Sequence, residues 1–117
     1  VVGTPYLDEV NTAEAEFLVN KGFEVLDIQG LNLATGTEMG CVTPAYWKQF
    51  ALEIDCADAD AIFLSCGGIR SAEVAQEIET VVGKPVITSN QAQMWSCLRR
   101  AGITDTIEGF GQIFTRP

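Results

Sequence analysis

Ala61-Ile-Phe-Leu-Ser-Cys-Gly-Gly-Ile-Arg-Ser71 is the stretch that decides the fold of this 117-residue chain. Its first four residues form a continuous apolar run, which is typical of a parallel strand buried on both faces of a sheet. The run ends at the glycine-rich turn Ser65-Cys66-Gly67-Gly68, and Ser71 can cap a following helix. The stretch therefore predicts a strand, a tight turn and a helix, which is the building unit of α/β proteins.

The same unit recurs on both sides of this stretch. Apolar runs predict strands at residues 1–4, 23–28, 61–64 and 85–88, with a long loop at residues 29–42. Helical spacing predicts a helix after each strand. The predicted core-facing stripes are Leu7, Val10, Phe17 and Leu18, then Trp47, Phe50, Ala51 and Ile54, then Val74, Ile78, Val81 and Val82, and finally Trp95 and Leu98. The predicted N-caps are Thr43, Ser71 and Asn90. Four alternations predict an α/β fold, a three-layer sandwich with a four-stranded parallel sheet in flavodoxin-like order and helices on both faces.

Length and composition predict one domain. With 47% apolar residues the chain can bury a single core, and no second composition regime is present. It opens with Val1 and Val2 inside a predicted strand, so we expect a piece of a longer parent. The apolar tail at residues 107–117 is expected to be buried against another protein surface. A missing part of that parent is one candidate for this surface.

Charge and cysteine content exclude several classes of partner. A net charge of −9 without a basic run argues against nucleic acid. No apolar run approaches a membrane span, and the chain has neither histidine nor a C-x-x-C pair, so neither a membrane nor a metal is expected. The four scattered cysteines are expected to stay reduced, as in a cytoplasmic protein.

Three polar turns are predicted to meet at the carboxyl edge of the sheet, where open α/β folds bind ligands. They are Thr4-Pro5-Tyr6, Ser65-Cys66-Gly67-Gly68 and Ser89-Asn90-Gln91. Cys66 would stand at a helix N-terminus, which favours a thiolate, and the amides of the turn could hold an oxyanion. On position alone, Cys66 could equally be a small buried hydrophobic residue.

The neighbours of Cys66 also have two interpretations. If the first strand lies beside the third, Tyr6 comes close to Cys66; otherwise it is an ordinary partly buried aromatic residue. Ser89 and Asn90 could face the site or simply cap the last helix. Because the chain has no histidine, Cys66 is better suited to proton transfer than to acylation, and the other three cysteines are interpreted as inert.

Four stretches, taken together, resemble a known family. They are Gly3-Thr-Pro-Tyr-Leu-Asp-Glu-Val-Asn11, Leu64-Ser-Cys-Gly-Gly-Ile-Arg-Ser71, Gly83-Lys-Pro-Val-Ile-Thr-Ser-Asn-Gln-Ala92 and Gly109-Phe-Gly-Gln-Ile-Phe114. Their order and spacing resemble the C-terminal half of arylmalonate decarboxylases and maleate cis-trans isomerases, within the aspartate/glutamate racemase superfamily. The match runs nearly end to end.

The resemblance implies a cofactor-independent lyase or isomerase built from two similar α/β halves, with the active site between them. It implies that Cys66 is the catalytic cysteine of the second half. The residues implied to contact a small mono- or dicarboxylic acid are Tyr6, Gly67, Ser65, Ser89 and Asn90. The expected partner is the missing N-terminal half or a second copy of the chain.

The reaction stays open among decarboxylation, cis-trans isomerisation and racemisation. Cys-Gly-Gly is similar to the decarboxylases, whereas Ser-Asn-Gln-Ala is similar to the isomerase-like proteins. A non-catalytic module of the same fold, which binds a small carboxylate or regulates another protein, is the alternative function. A receiver-like signalling domain is disfavoured because no acidic cluster follows the first strand.

Overall fold

Strands and helices alternate along the chain, and the computed structural model describes all of residues 1–117. The strands are β1 (Val2–Thr4), β2 (Ile28–Gly30), β3 (Ile62–Leu64) and β4 (Val86–Thr88). The α-helices are α1 (Asp8–Asn20), α2 (Gly36–Cys41), α3 (Pro44–Ile54), α4 (Ala75–Val82) and α5 (Ser89–Arg100), and short 3₁₀ helices cover Ala72–Val74 and Gln112–Thr115. None of the helices combines the length and the hydropathy that crossing a membrane requires.

The four strands form one parallel sheet in the order β2-β1-β3-β4. The register places Gly3 of the central strand β1 opposite both Gln29 and Leu64, and Leu64 lies opposite Thr88. The four strands therefore end at one edge of the sheet, which is where parallel sheets bind ligands. The predicted fold class is confirmed, including its flavodoxin-like strand order.

One face of the sheet carries a closely packed core under α3 and α4. Its buried members are Trp47, Phe50, Ala51, Ile54, Ile62, Leu64, Val74, Ala75, Ile78 and Val86. Gly3 lets α3 approach the sheet, because a Cβ at this position would lie 2.9 Å from Cδ1 of Ile54. The stripe predicted for α3 is confirmed at all four positions.

The opposite face lies under α1 and α5 and is incompletely covered. Phe63 and Ile87 point to this side, since side chains alternate along a strand. Together with Leu18 of α1 and Ala92 of α5 they line an apolar groove of about 580 Å³. The two faces of the sheet are therefore packed unequally.

The stripe predicted to bury α1 against the core is largely wrong. Val10 and Phe17 are 45% and 58% exposed, and Asn11 is the buried residue of this helix. Val81 of α4, at 61% exposure, is a second error of the same kind. Helical spacing identifies an apolar face, but it cannot tell whether this chain or another covers that face.

The segment between α1 and α3 departs furthest from the prediction. The strand expected at residues 23–28 begins only at Ile28, and Phe23 is 64% exposed. The loop expected at residues 29–42 contains α2, which starts with a capping box between Thr35 and Glu38. The Thr-x-x-Glu pattern is visible in the sequence, but the surrounding glycines concealed the helix.

Helix caps follow the sequence only in part. Thr43 caps α3 as predicted. Ser71 makes no capping hydrogen bond, because the chain there enters a 3₁₀ turn before α4. Asn90 is not a cap either: α5 begins at Ser89, two residues earlier than a cap at Asn90 predicts, and Thr88 accepts the capping hydrogen bond.

The tail at residues 107–117 packs on its own domain. Phe114 is 4% exposed, and the N–H of Gln112 donates to Oε2 of Glu79 in α4 at 2.9 Å. The other carboxylate oxygen of Glu79 accepts from the N–H of Val86 at 3.0 Å. The buried carboxylate of Glu79 therefore joins α4, β4 and the tail.

Glu79→Ala should destabilise the fold by about 3 kcal/mol, because it leaves two backbone N–H groups without their charged acceptor. Urea unfolding measures this loss. Glu77→Ala is the matched control, since it removes only the exposed ion pair with Lys48 from the same helix and should cost about 0–1 kcal/mol. Equal unfolding free energies for the two variants would contradict the role assigned to Glu79.

Candidate functional site

Tyr6, Cys66 and Ser89 meet at the carboxyl edge of the sheet. They follow β1, β3 and β4, which are neighbours in the strand order. Tyr6 packs against the cluster that contains Cys66, and the Cys66 side chain contributes to raising the pKa of Tyr6. The backbone N–H of Cys66 donates to Oγ of Ser89 at 3.1 Å. The three polar turns singled out in the sequence thus lie together.

Cys66 lies at the top of the core rather than on an open surface. It is 9% exposed, and its Sγ accepts a hydrogen bond from the N–H of Gly68 at 3.3 Å. The thiol is therefore largely covered, as expected of a small buried residue. Leu31 and Met39, from the segment expected to be an open loop, pack against the cluster that contains Cys66.

Tyr6 keeps its proton in this environment. Burial raises the pKa of Tyr6, and its hydrogen bond to Cys66 and the charges of Cys66 and Glu14 raise this pKa further. The phenol therefore stays protonated throughout the physiological range and remains a hydrogen-bond donor. The Sγ of Cys66 accepts from the Gly68 N–H and lies near the Tyr6 side chain, whose pKa it raises.

The two glycines of the turn are exposed, and each could take a Cβ without overlap. A Cβ at Gly67 would lie 3.5 Å from Oδ1 of Asn90, and a Cβ at Gly68 would lie 3.7 Å from Sγ of Cys66. Both are ordinary contacts, and neither glycine has a positive φ. The fold itself tolerates a side chain at either position, so the two glycines leave room for a ligand.

The remaining predicted residues, Ser89, Asn90 and Ser65, lie at different positions relative to Cys66 and the glycine turn. Ser89 is the first residue of α5 and holds the backbone of Cys66. Asn90 is exposed in the same helical turn, next to Gly67. Ser65 is buried, and its N–H donates to the carbonyl of Gly3 at 2.9 Å, which extends the pairing of β1 with β3. No contact of the Ser65 side chain connects it to Cys66.

Thr4 and Asn11 also belong to the site, although their sequence context did not single them out. Thr4 is fully buried; its hydroxyl donates to Oδ1 of Asn11 and accepts from the N–H of Tyr6. A signal was present in the sequence: Asn11 stands four residues after Leu7 on a helical stripe, where an apolar residue is expected.

The chemistry available here is that of a thiol surrounded by donors. No group of three or more His, Cys, Asp or Glu side chains is arranged to hold a metal ion, and all four cysteines are free thiols. The N–H of Gly67 donates to no other atom of the chain. Cys66 can thus exchange a proton while the free Gly67 N–H donates a hydrogen bond to an anionic oxygen.

Known proteins with similar sequences and folds are enzymes. The family model for arylmalonate decarboxylase matches residues 1–114. The arylmalonate decarboxylase of Bordetella bronchiseptica is 30% identical over 116 residues, which cover 97% of this chain and 48% of that protein. The maleate isomerase of Nocardia farcinica is 27% identical over 111 residues, which cover 94% of this chain and 44% of that protein.

Solved structures give the same result. The Nocardia farcinica maleate cis-trans isomerase bound to Tris has a TM-score of 0.92 at 25% identity, covering 97% of this chain and 46% of that one. A crystal structure of arylmalonate decarboxylase has a TM-score of 0.87 at 29% identity, covering 97% and 51%. The chain spans about half the length of the relatives it matches. The resemblance carried by the four sequence stretches is confirmed, and the chain belongs to the arylmalonate decarboxylase family.

Proposed function

We propose that this chain is the C-terminal, cysteine-bearing half of a cofactor-independent lyase or isomerase that acts on a small mono- or dicarboxylic acid. The observation that carries the proposal is the position of Cys66 at the carboxyl edge of the sheet, where its Sγ accepts from the Gly68 N–H and its side chain raises the pKa of Tyr6. The similarity to a decarboxylase and to maleate isomerases supports an enzyme of this class.

Cys66 moves a proton in the decarboxylase form of this proposal. The bond between the substrate carbon and the departing carboxylate breaks, its electron pair enters an enediolate, and carbon dioxide leaves. The S–H proton of Cys66 then bonds to the carbon, and the resulting thiolate is stabilised by Tyr6 and Gly68 until solvent returns a proton.

In the isomerase form, the Cys66 thiolate adds to one carbon of the substrate double bond, and the electron pair moves onto the neighbouring carboxylate as an enediolate. Rotation about the new single bond is followed by expulsion of the thiolate, which restores the double bond. The two forms begin with the same thiol in different protonation states. The residue facing Cys66 from the other half decides between them.

A negatively charged substrate must be met by hydrogen-bond donors of the protein. The nearest groups of this kind are the Gly67 N–H, which has no acceptor in the chain, and the N-terminus of α5, whose Ser89 accepts from the N–H of Cys66. These local groups outweigh the net charge of −9, because salt screens surface charges beyond about 8–10 Å. An acidic protein can therefore bind a carboxylate at this edge.

The active protein contains a second half, or a second copy of this chain, opposite this one. The relatives are about twice as long, and large apolar residues of α1 and the segment after it are exposed. These residues, named here the α1 patch, are Leu7, Val10, Phe17, Val19, Phe23 and Leu26. Exposed apolar patches of this kind are usually interaction surfaces. Since the tail is packed on its own domain, the α1 patch replaces it as the proposed interface.

Cys66→Ser in the full-length parent should lower turnover by at least about 100-fold, because a hydroxyl is a poor substitute for a thiol in proton transfer. Carbon dioxide release from an arylmalonate and the disappearance of maleate measure the two candidate reactions. The near-isosteric serine suits this buried position better than alanine. Cys97→Ser, on an exposed thiol of α5, is the control and should leave turnover unchanged. Full turnover by Cys66→Ser would end the catalytic proposal.

Tyr6 should ionise only well above its ordinary pKa of about 10, because burial and Cys66 both raise its pKa. The Tyr46→Phe variant leaves Tyr6 as the only tyrosine, so ultraviolet phenolate absorption reports it alone. The fold favours the neutral phenol; this contribution to stability is present below about pH 10 and is lost as pH rises through the folded pKa. Adding Cys66→Ala should lower the pKa of Tyr6 partway, since burial remains. If adding Cys66→Ala leaves the pKa of Tyr6 unchanged, the interaction between Tyr6 and Cys66 is contradicted.

The isolated chain should form dimers at micromolar concentration through the α1 patch. Phe17→Asp combined with Phe23→Asp should give a monomer in analytical ultracentrifugation without loss of stability, because these side chains are 58% and 64% exposed. Tyr46→Asp is the control, since it alters an exposed aromatic residue of α3 on the other face. A monomeric wild-type chain would refute self-association.

A further inference from the structure

A buried polar junction joins β1, α1 and β2 directly behind Tyr6. It consists of Thr4, Asn11 and Gly30 and is called the Thr4 junction. Thr4 is 0% exposed and Asn11 is 4% exposed, and the Thr4 hydroxyl donates to Oδ1 of Asn11. Asn11 is the buried residue of α1, although Val10 and Phe17 of the same helix are exposed. This helix therefore turns an amide inward while apolar side chains remain in water.

The backbone of Tyr6 is held at both ends, with the Thr4 junction at its N–H and the segment after β2 at its carbonyl. The N–H of Tyr6 donates to Oγ1 of Thr4 at 3.1 Å, and the carbonyl of Tyr6 accepts from the N–H of Asn32 at 3.2 Å. Between them, the carbonyl of Pro5 accepts from the N–H of Leu33 at 2.9 Å. The turn that carries the Tyr6 side chain toward Cys66 is thus fixed by side chain and backbone together.

Gly30 shows how little space the junction leaves. A Cβ at this position would overlap the Tyr6 carbonyl oxygen and Nδ2 of Asn11, and would lie 3.0 Å from Oγ1 of Thr4. Its φ is not positive, so the requirement for glycine comes from close packing and not from backbone conformation. Three elements of the fold are therefore fitted around the same few polar atoms.

Folding alone does not require a polar pair at this place. Buried hydroxyl and amide groups cost free energy unless they are hydrogen-bonded, and an apolar pair of similar shape is often as stable. What the pair supplies, and an apolar pair would not, is an acceptor for the Tyr6 N–H. Placement matters here, because a shift of about 1 Å in a catalytic group can cost about 100-fold in rate.

We propose that Thr4 and Asn11 are positioning residues that set the Tyr6 hydroxyl against the sulfur of Cys66. The role of this placement in turnover rests on the proposed function, whereas the placement itself does not. Thr4 acts through the backbone of Tyr6, and Asn11 acts through Thr4 by fixing the direction of its hydroxyl. Neither residue contacts the substrate.

The test compares Thr4→Val, which removes the oxygen at nearly constant shape, with Thr4→Ser, which keeps it. Thr4→Val should lower kcat of the full-length protein about 10- to 100-fold with little change in KM, and Thr4→Ser should stay near wild type. Thr12→Val is the control. Thr12 follows Asn11 in α1, and its hydroxyl bonds only the backbone of Asp8. Asn11→Ala should lower kcat in the same way but by a smaller factor. This variant replaces Thr4→Val in the test if Thr4→Val does not fold.

The second readout is the ionisation of Tyr6 in the Tyr46→Phe background, which requires no turnover. Thr4→Val should move this ionisation to lower pH, because Tyr6 leaves Cys66 and becomes more exposed. A purely structural role would lower the melting temperature without changing either the ionisation of Tyr6 or kcat per folded molecule, and that result would overturn the proposal. Equal losses in Thr4→Ser and Thr4→Val would overturn it too. If Cys66→Ser stays active, the proposed function fails, but Tyr6 ionisation still decides whether the junction positions Tyr6.

Discussion

The pairing of β1 with β3 is the constraint on which the rest of this structure depends. The N–H groups of Phe63 and Ser65 donate to the carbonyls of Val1 and Gly3, each at 2.9 Å. Because these two strands are neighbours and end at the same height, the turns that follow them meet. Tyr6 comes from one turn and Cys66 from the other, 60 positions apart in the numbering of the chain. A different strand order would leave the same residues without contact.

Buried threonines close both strand ends that border the site. Thr4 ends β1 and bonds Asn11 of the following helix, and Thr88 ends β4 and bonds Gln91 of α5. In each case a hydroxyl at the carboxyl end of a strand is tied to an amide side chain on the next helix. Such satisfied polar pairs give a rigid edge, since breaking one leaves a buried group unpaired. The edge that carries Tyr6, Cys66 and Ser89 is therefore more rigidly held than its loop-like sequence indicates.

The two faces of the sheet are covered to different extents. Under α3 and α4 the core is closed, and Trp47 and Ile78 are fully buried. Under α1 and α5 an apolar groove and the α1 patch stay open. A chain of this size gains its stability mainly from the closed face, so the open face is available to a second half without loss of the fold.

The sequence by itself determined the α/β class, the order of most elements, the stripe of α3 and the three polar turns, because apolar runs, helical spacing and capping residues act locally. It did not reveal which apolar faces stay open, since the stripe of α1 has the same spacing as the buried stripe of α3. It also concealed α2, the packing of Leu31 and Met39 against the core, and the Thr4 junction. Only the tertiary structure decided these points, because each depends on atoms from strands and helices far apart in the chain that the sheet brings within hydrogen-bonding or packing distance.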